Sequence, residues 1–221
     1  MFREWTFSFE LTQAVVRVLM SQYGDRLGLT RNAQFLRRQS EIVGSILGLK
    51  TCRDLNVRVQ PFRFGGLEHL WLKRVGQRSS CSSSHHRRFV LLYFHGGGYG
   101  ILSPRMYISV GAELQSRISS LLKDVDSDVQ VDVDVLLANY RKAPEHRYPA
   151  GPEDAFSIYT YLLEEEKLSP KQIIVAGDSA GAGLAMTTLL RARDHGGGSK
   201  ALPLAGMLAG VRRLLRRVSC S

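Results

Sequence analysis

Residues 173–185 read IIVAGDSAGAGLA. An apolar, β-rich run ends in Gly177-Asp178-Ser179-Ala180-Gly181, and a string of small residues follows. This is the G-x-S-x-G pattern of a candidate nucleophilic serine set on a sharp strand-to-helix turn. The turn is strained, and a side chain at 177 or 181 is expected to clash across it. The Ala180 N–H then falls in the first helical turn, where donors lack intrahelical partners and point outward. Ala182 and Gly183 are expected to hold that helix close to the sheet. The pattern recurs by chance in many proteins, so its flanks decide the reading.

Upstream, residues 89–94 (FVLLYF) form a continuous apolar run, as in a strand buried on both faces. A helix is expected near 104–122, a strand at 129–138 and a helix at 152–166, with Ala155, Ile158, Tyr159 and Leu162 on one face. The strand at 172–176 and a helix from 180 complete the series. Strand–helix alternation predicts an α/β protein with a largely parallel sheet and an active site at the carboxyl ends of its strands. Ahead of this block, residues 57–64 alternate, Gly65-Gly66 turn, and a second short strand covers 68–73, so a β-hairpin is expected. Residues 11–49 have helical spacing interrupted at Gly24 and Gly28, which predicts two or three helices, and the serine-rich stretch 79–88 is expected to be a loop.

Further motifs follow two of the strands. His95-Gly96-Gly97-Gly98-Tyr99-Gly100 directly succeeds FVLLYF. Glycines there let backbone N–H groups approach a developing oxyanion. The run lacks the lysine and Ser/Thr of a phosphate-binding loop and the spacing of a dinucleotide fingerprint. The stretch 140–149, YRKAPEHRYP, succeeds the next strand, with Asp154 beyond it. Its two prolines and interleaved charges predict a rigid scaffold loop.

Together HGGGYG, YRKAPEHRYPAGPEDA and GDSAGAGLA resemble the signatures of the hormone-sensitive lipase group of α/β-hydrolases, also called α/β hydrolase fold-3, clearly so from about 90 to 190. The resemblance implies an α/β-hydrolase-type, mostly parallel sheet flanked by helices, with cap-like N-terminal helices. It implies Ser179 as nucleophile and Gly97, Gly98 and Ala180 as oxyanion-hole donors. His95, Gly96, Tyr140, Arg141, Pro144, Glu145, Asp154, Gly177, Asp178 and Gly181 are then motif or structural residues. The implied activity is hydrolysis of a small carboxylic ester, with no metal and no cofactor. The expected organisation is cap-like helices at 1–50, a partial hydrolase domain at 51–210 and a basic tail at 211–221.

The triad order in this fold is Ser, then Asp or Glu, then His. After Ser179 the sequence offers only Asp194 and His195. At about 1.5 Å per residue these lie on the order of 20 Å along the helix that Ser179 opens, beyond a hydrogen bond. His95 belongs to the glycine loop, His146 to the proline-bounded loop, His69 to the hairpin, and His85 and His86 to the serine-rich stretch. The sequence therefore predicts a nucleophile and an oxyanion hole without a triad base or acid, in a sheet incomplete at its C-terminal side. The alternative is a non-catalytic ligand-binding or interaction protein on the same fold. Residues 202–208 (LPLAGML) look like the start of another strand, and 211–217 (VRRLLRR) depart from the family pattern, as expected of a shortened or mis-spliced product.

Length and charge set the outer bounds. The chain has 221 residues, 44% of them hydrophobic, which suits one domain with a substantial core. The formal net charge of +10 is concentrated at 79–88 and in the tail, and no zinc-finger, RNP or helix-turn-helix signature accompanies it, so no nucleic-acid partner is expected. The N-terminal residues lack an apolar run long enough for a signal peptide or membrane span. The three cysteines are odd in number and scattered. A cytoplasmic protein without membrane contact is the expectation. The sequence does not define an oligomeric state.

Overall fold

The structure, a computed structural model, describes residues 32–76, 86–125 and 130–195. The readings at Gly24, Gly28, residues 79–85, the strand at 202–208 and the basic tail lie outside the described residues.

Helix α1 spans Ala33–Asp54. Strands β1 (Val57–Phe64) and β2 (Leu67–Arg74) form the expected hairpin, paired from Val57↔Arg74 to Phe64↔Leu67. Strand β3 is His86–Phe94 and β4 is Gln130–Ala138. Between them runs a 3-10 turn, Pro104–Tyr107, that leads into helix α2, Ile108–Val125. Helix α3 (Ala150–Glu164), strand β5 (Ile173–Gly177) and helix α4 (Ala180–His195) follow.

One five-stranded sheet runs in the order β1-β2-β4-β3-β5. The block β4-β3-β5 is parallel, and the hairpin joins it antiparallel through Leu70↔Leu137, Trp71↔Leu136 and Leu72↔Val135. Sequence reading finds the hairpin but does not attach it to the sheet. The first residues of β3 correct the loop reading at 79–88: His86, Arg87 and Arg88 pair with Gln130, Val131 and Asp132. Arg88 enters the sheet because its charge is met by Asp134 and Glu166, each at 2.9 Å.

Successive strand side chains point to opposite faces and build two cores. Val90, Leu92 and Phe94 of β3, with Leu136 and Ala138 of β4, face α3 and α4. Leu91, Tyr93, Val135 and Leu137 face α2. This explains the unbroken FVLLYF run: a strand covered on both faces has no polar side. The predicted face of α3 is buried as expected, at Ala155, Ile158, Tyr159 and Leu162.

Helix α1 packs differently from what its apolar residues suggest. Phe35, Ile42, Val43 and Ile46 are exposed, whereas Ala33, Ser40, Gly44, Gly48 and Cys52 are buried. A Cβ on Gly44 would strike the Arg105 and Met106 backbone, and one on Gly48 the Ile108 side chain. Close approach over small residues sets this contact. Among the described residues no helix is long and apolar enough to cross a membrane.

Candidate active site

The carboxyl ends of β3, β4 and β5 bring the three motifs together. At the end of β5, Ser179 is exposed and has φ +50°, the left-handed region that non-glycine residues rarely enter. Helix α4 begins at once, with Gly181 N–H bonding to Asp178 O at 2.7 Å and Ala182 N–H to Ser179 O at 3.1 Å. The flanking glycines have a definite cause. A Cβ on Gly181 would fall on the Phe94 carbonyl, and one on Gly177 would lie 2.5 Å from the Gly181 carbonyl and 2.7 Å from Phe94 O. Any larger residue pushes the turn off the end of β3.

The sequence reading sets Gly183 against the sheet, and the structure does otherwise. Gly181 faces the sheet, while the missing Cβ of Gly183 makes room for the Tyr99 hydroxyl. Ala182 is buried as expected.

The glycine loop at the end of β3 has its own constraints. Gly97 has φ +113° and Gly98 +59°, and the Gly100 and Ile101 N–H groups both return to Gly97 O, at 3.1 and 2.9 Å. His95 is fully buried, stacks on Tyr140 at 4.5 Å, and donates from Nδ1 to Gly96 O at 2.6 Å. Burial, with help from the nearby Lys142 ammonium, pushes its pKa down to about 3, so it stays neutral. His95 is therefore a structural member of the loop. The Tyr140 hydroxyl donates to His95 O at 2.8 Å and ties β4 to the same loop.

The glycine loop and the serine turn meet at Asp178. Its carboxylate accepts the Gly96 N–H at 2.9 Å, the Tyr107 hydroxyl at 2.9 Å and the Tyr93 hydroxyl at 3.2 Å. Burial, and after it the Asp178 charge, raises the pKa of both tyrosines, which keeps them protonated donors. Tyr107 carries no signal in the sequence. Tyr93 hides inside the apolar run that marks β3.

The 140–149 stretch is a braced loop. Arg141 grips Asp154 through its backbone N–H at 2.7 Å and its guanidinium at 2.8–2.9 Å. Glu145 takes Gln34 at 3.0 Å and Arg37 at 2.9 Å, and these bonds pull its pKa down to about 2. Arg37 also donates to Gly100 O at 2.7 Å and Ala143 O at 2.6 Å, so α1 straps both loops. Sequence reading misses this strap, because nothing in a lone arginine announces a partner some hundred residues away. Pro144 is exposed on this loop. Lys142 is buried, bonded to Asn139 Oδ1 and Tyr140 O, and desolvation lowers its pKa to about 8.

A cavity of about 490 Å³ opens beside these motifs, lined among others by Gly98, Tyr99, His146, Tyr148, Gly183 and Thr187. Gly183 lies one helical turn beyond Ser179. The described histidines divide clearly. His69 donates from Nε2 to Phe64 O at 3.2 Å and accepts the Asn139 N–H at 3.1 Å, and burial pushes its pKa down to about 4. His146 is exposed at the cavity. Asp194 sits at the opposite end of α4 from Ser179 and pairs with Arg193. Among the described residues no group of three or more His, Cys, Asp or Glu is placed to hold a metal ion.

Comparison with known proteins adds a lineage. A family model described as alpha/beta hydrolase fold matches residues 91–212. A protein named acetyl-hydrolase from Streptomyces hygroscopicus is 41% identical over 106 residues, which are 48% of this chain and 31% of that protein. The gibberellin receptor GID1A of Arabidopsis thaliana is 32% identical over 112 residues, covering 48% of this chain and 29% of the receptor. The crystal structure of an esterase/lipase from an uncultured bacterium superposes with a TM-score of 0.52 and 31% identity, over 68% of this chain and 43% of that one. The matches thus span about a third of the curated relatives' length and somewhat under half of the solved esterase/lipase.

Proposed function

This chain belongs to the alpha/beta hydrolase fold family, and we propose that it carries the acyl-accepting part of a serine carboxylic-ester hydrolase, with Ser179 as nucleophile. The observation that carries the reading is the turn itself: an exposed serine at φ +50°, backed onto Phe94 O by two glycines that admit no Cβ. Such strain at a surface serine fits a functional role better than a structural one.

In this reading Ser179 Oγ bonds to the ester carbonyl carbon, and the carbonyl electron pair moves onto oxygen. The Gly97, Gly98 and Ala180 N–H groups donate to that oxyanion. The pair returns, the bond to the alcohol oxygen breaks, and the alcohol leaves with a proton. Water then repeats the sequence on the acyl-serine. A base must take the Ser179 proton and deliver it to the alcohol. His69 and His95 are neutral and committed elsewhere, and Asp194 is a helix-length away. His146 is exposed at the cavity, but among the described residues no histidine is hydrogen-bonded to the Ser179 side chain, so in this reading they supply the nucleophile and the oxyanion donors without an assembled base and acid. Losing the base costs a serine hydrolase on the order of 10⁶ in kcat. The substrate class is a small ester whose acyl or alcohol group enters the 490 Å³ cavity.

A second reading has one observation in its favour. One relative is named a gibberellin receptor, which supports a reading in which the same cavity holds a small molecule without turnover.

An alkylboronic acid at alkaline pH separates the two: Ser179 Oγ bonds to boron, the hydroxyl proton passes to the buffer, and the anionic tetrahedral adduct forms at equilibrium without a protein base. Butylboronic acid is expected to give a tetrahedral boron-11 signal with the full chain and none with Ser179→Ala. A tetrahedral signal of equal strength in Ser179→Ala, or none in either, contradicts the nucleophile assignment.

A further inference from the structure

Asp178 presents a problem that the proposed chemistry does not solve. A carboxylate beside a nucleophilic serine opposes the negative charge that develops on a tetrahedral intermediate. A small neutral residue would fill the turn without that cost. The position also has unusual surroundings. Both carboxylate oxygens are occupied, Oδ1 by Gly96 N–H and Tyr93 OH and Oδ2 by Tyr107 OH. The Tyr107 hydroxyl oxygen also lies 3.2 Å from Gly96 N. A Cβ on Gly96 would land on the Asp178 carboxylate, so the glycine and the aspartate are fitted to each other.

These bonds join the two halves of the proposed oxyanion hole. Gly97 and Gly98 lie on the loop after β3, and Ala180 opens α4 after β5. Loops at separate strand ends keep no fixed spacing by themselves, and donors must converge to about 2.7–3.1 Å from one oxygen. The Phe94↔Gly177 pairing brings the strand ends together, and the Asp178–Gly96 link, one residue before Gly97 and two before Ala180, carries that spacing out into the loops. The carboxylate is the right group for it. It accepts three donors at once, which an amide or hydroxyl oxygen does not do, and hydrogen bonds to a charged acceptor are roughly twice as strong as neutral ones. Those donors take two acceptor sites on Oδ1 and one on Oδ2, which partly offsets the carboxylate charge.

We infer that Asp178 is a positioning residue: its carboxylate clamps the Gly96 N–H and thereby fixes the distance between the Gly97–Gly98 donors and the Ala180 donor. The inference rests on the proposed serine chemistry. Tyr93 and Tyr107 hold the clamp from the α2 side of the sheet, and Gly96 is its matching surface.

The test uses butylboronic acid affinity in the full chain. A donor misplaced by about 1 Å costs on the order of 10²-fold, so Asp178→Ala is expected to weaken binding about 100-fold. Asp178→Asn keeps an oxygen for Gly96 N–H and is expected to stay within about 10-fold of the parent. Gly96→Ala pushes the carboxylate aside and is expected to match Asp178→Ala, while adding it to Asp178→Ala costs little more, as for two lesions in one link. A merely structural aspartate predicts the reverse: equal losses in Ala and Asn variants of equal melting temperature, and additive effects with Gly96→Ala. Parent-like affinity in Asp178→Ala, with binding abolished in Ser179→Ala, overturns the clamp and leaves the serine assignment standing. If the parent itself does not bind boronate above Ser179→Ala, the serine assignment fails and amide exchange decides the clamp. Faster exchange confined to residues 96–101 and 178–183 in Asp178→Ala, and absent in Asp178→Asn, supports it. Unchanged exchange overturns it.

Discussion

At the scale of single residues, the turn at 177–181 shows how a sequence pattern becomes a geometric demand. The pattern gives the glycine positions, and the structure gives what each glycine avoids: Gly181 the Phe94 carbonyl, Gly177 the Gly181 backbone. Gly181→Ala is accordingly expected to be among the exceptional substitutions, costing about 4 kcal/mol or more because neither partner is a flexible side chain; denaturant titration beside the parent measures it. His95 offers a pH test. Its folded-state pKa is lowered from 6.5 to about 3, and that of His69 from 6.5 to about 4. Below 6.5 the unfolded chain takes up protons that the folded chain refuses. The stability that depends on neutral His95 is thus complete above about pH 6.5 and lost as pH falls toward 3. Melting temperature is expected to fall across that window, and His95→Asn to flatten the fall. An unchanged slope in His95→Asn would place the acid sensitivity elsewhere.

Elements were legible where one physical signal dominated. Unbroken apolar runs marked β3 and β5, and 3.6-residue spacing marked the buried face of α3. Helix α1 was legible as a helix but not in its packing, since its contact is made by Gly44 and Gly48 while Phe35 and Ile46 remain exposed. A hydrophobic pattern does not report close approach by absent side chains. Helix α2 hides another such feature. Its buried Gln115 donates from Nε2 to Leu72 O at 3.1 Å and Val133 O at 2.7 Å. The β2–β4 pairing ends at Leu72↔Val135, so the glutamine serves carbonyls where the ladder stops. Gln115→Met keeps the length and removes both bonds. It is expected to cost about 2 kcal/mol or more, since leaving a buried polar group unpaired costs about 1–3 kcal/mol. A loss below 0.5 kcal/mol would show that these carbonyls find other partners.

For the whole molecule, the α/β class and the meeting of three motifs at one sheet end followed from the order of elements, because parallel strands put their carboxyl ends on one side. The links between motifs did not. Asp178 to Gly96, Arg37 to Gly100 and Ala143, and Arg88 to Asp134 and Glu166 join residues far apart in the chain through single polar contacts, and no periodicity encodes such pairs. The proposed function has the described residues presenting a nucleophile and oxyanion donors without a triad base. The most direct measurement is the hydrolysis rate of a short-chain p-nitrophenyl ester by the monodisperse chain beside its Ser179→Ala variant. The account predicts slow release in both, within about tenfold of one another, because the oxyanion donors and binding alone retain only about 10³–10⁴ over water. Rapid multiple turnover abolished by Ser179→Ala would contradict it and require a base within the chain, with His146 at the cavity the first to replace.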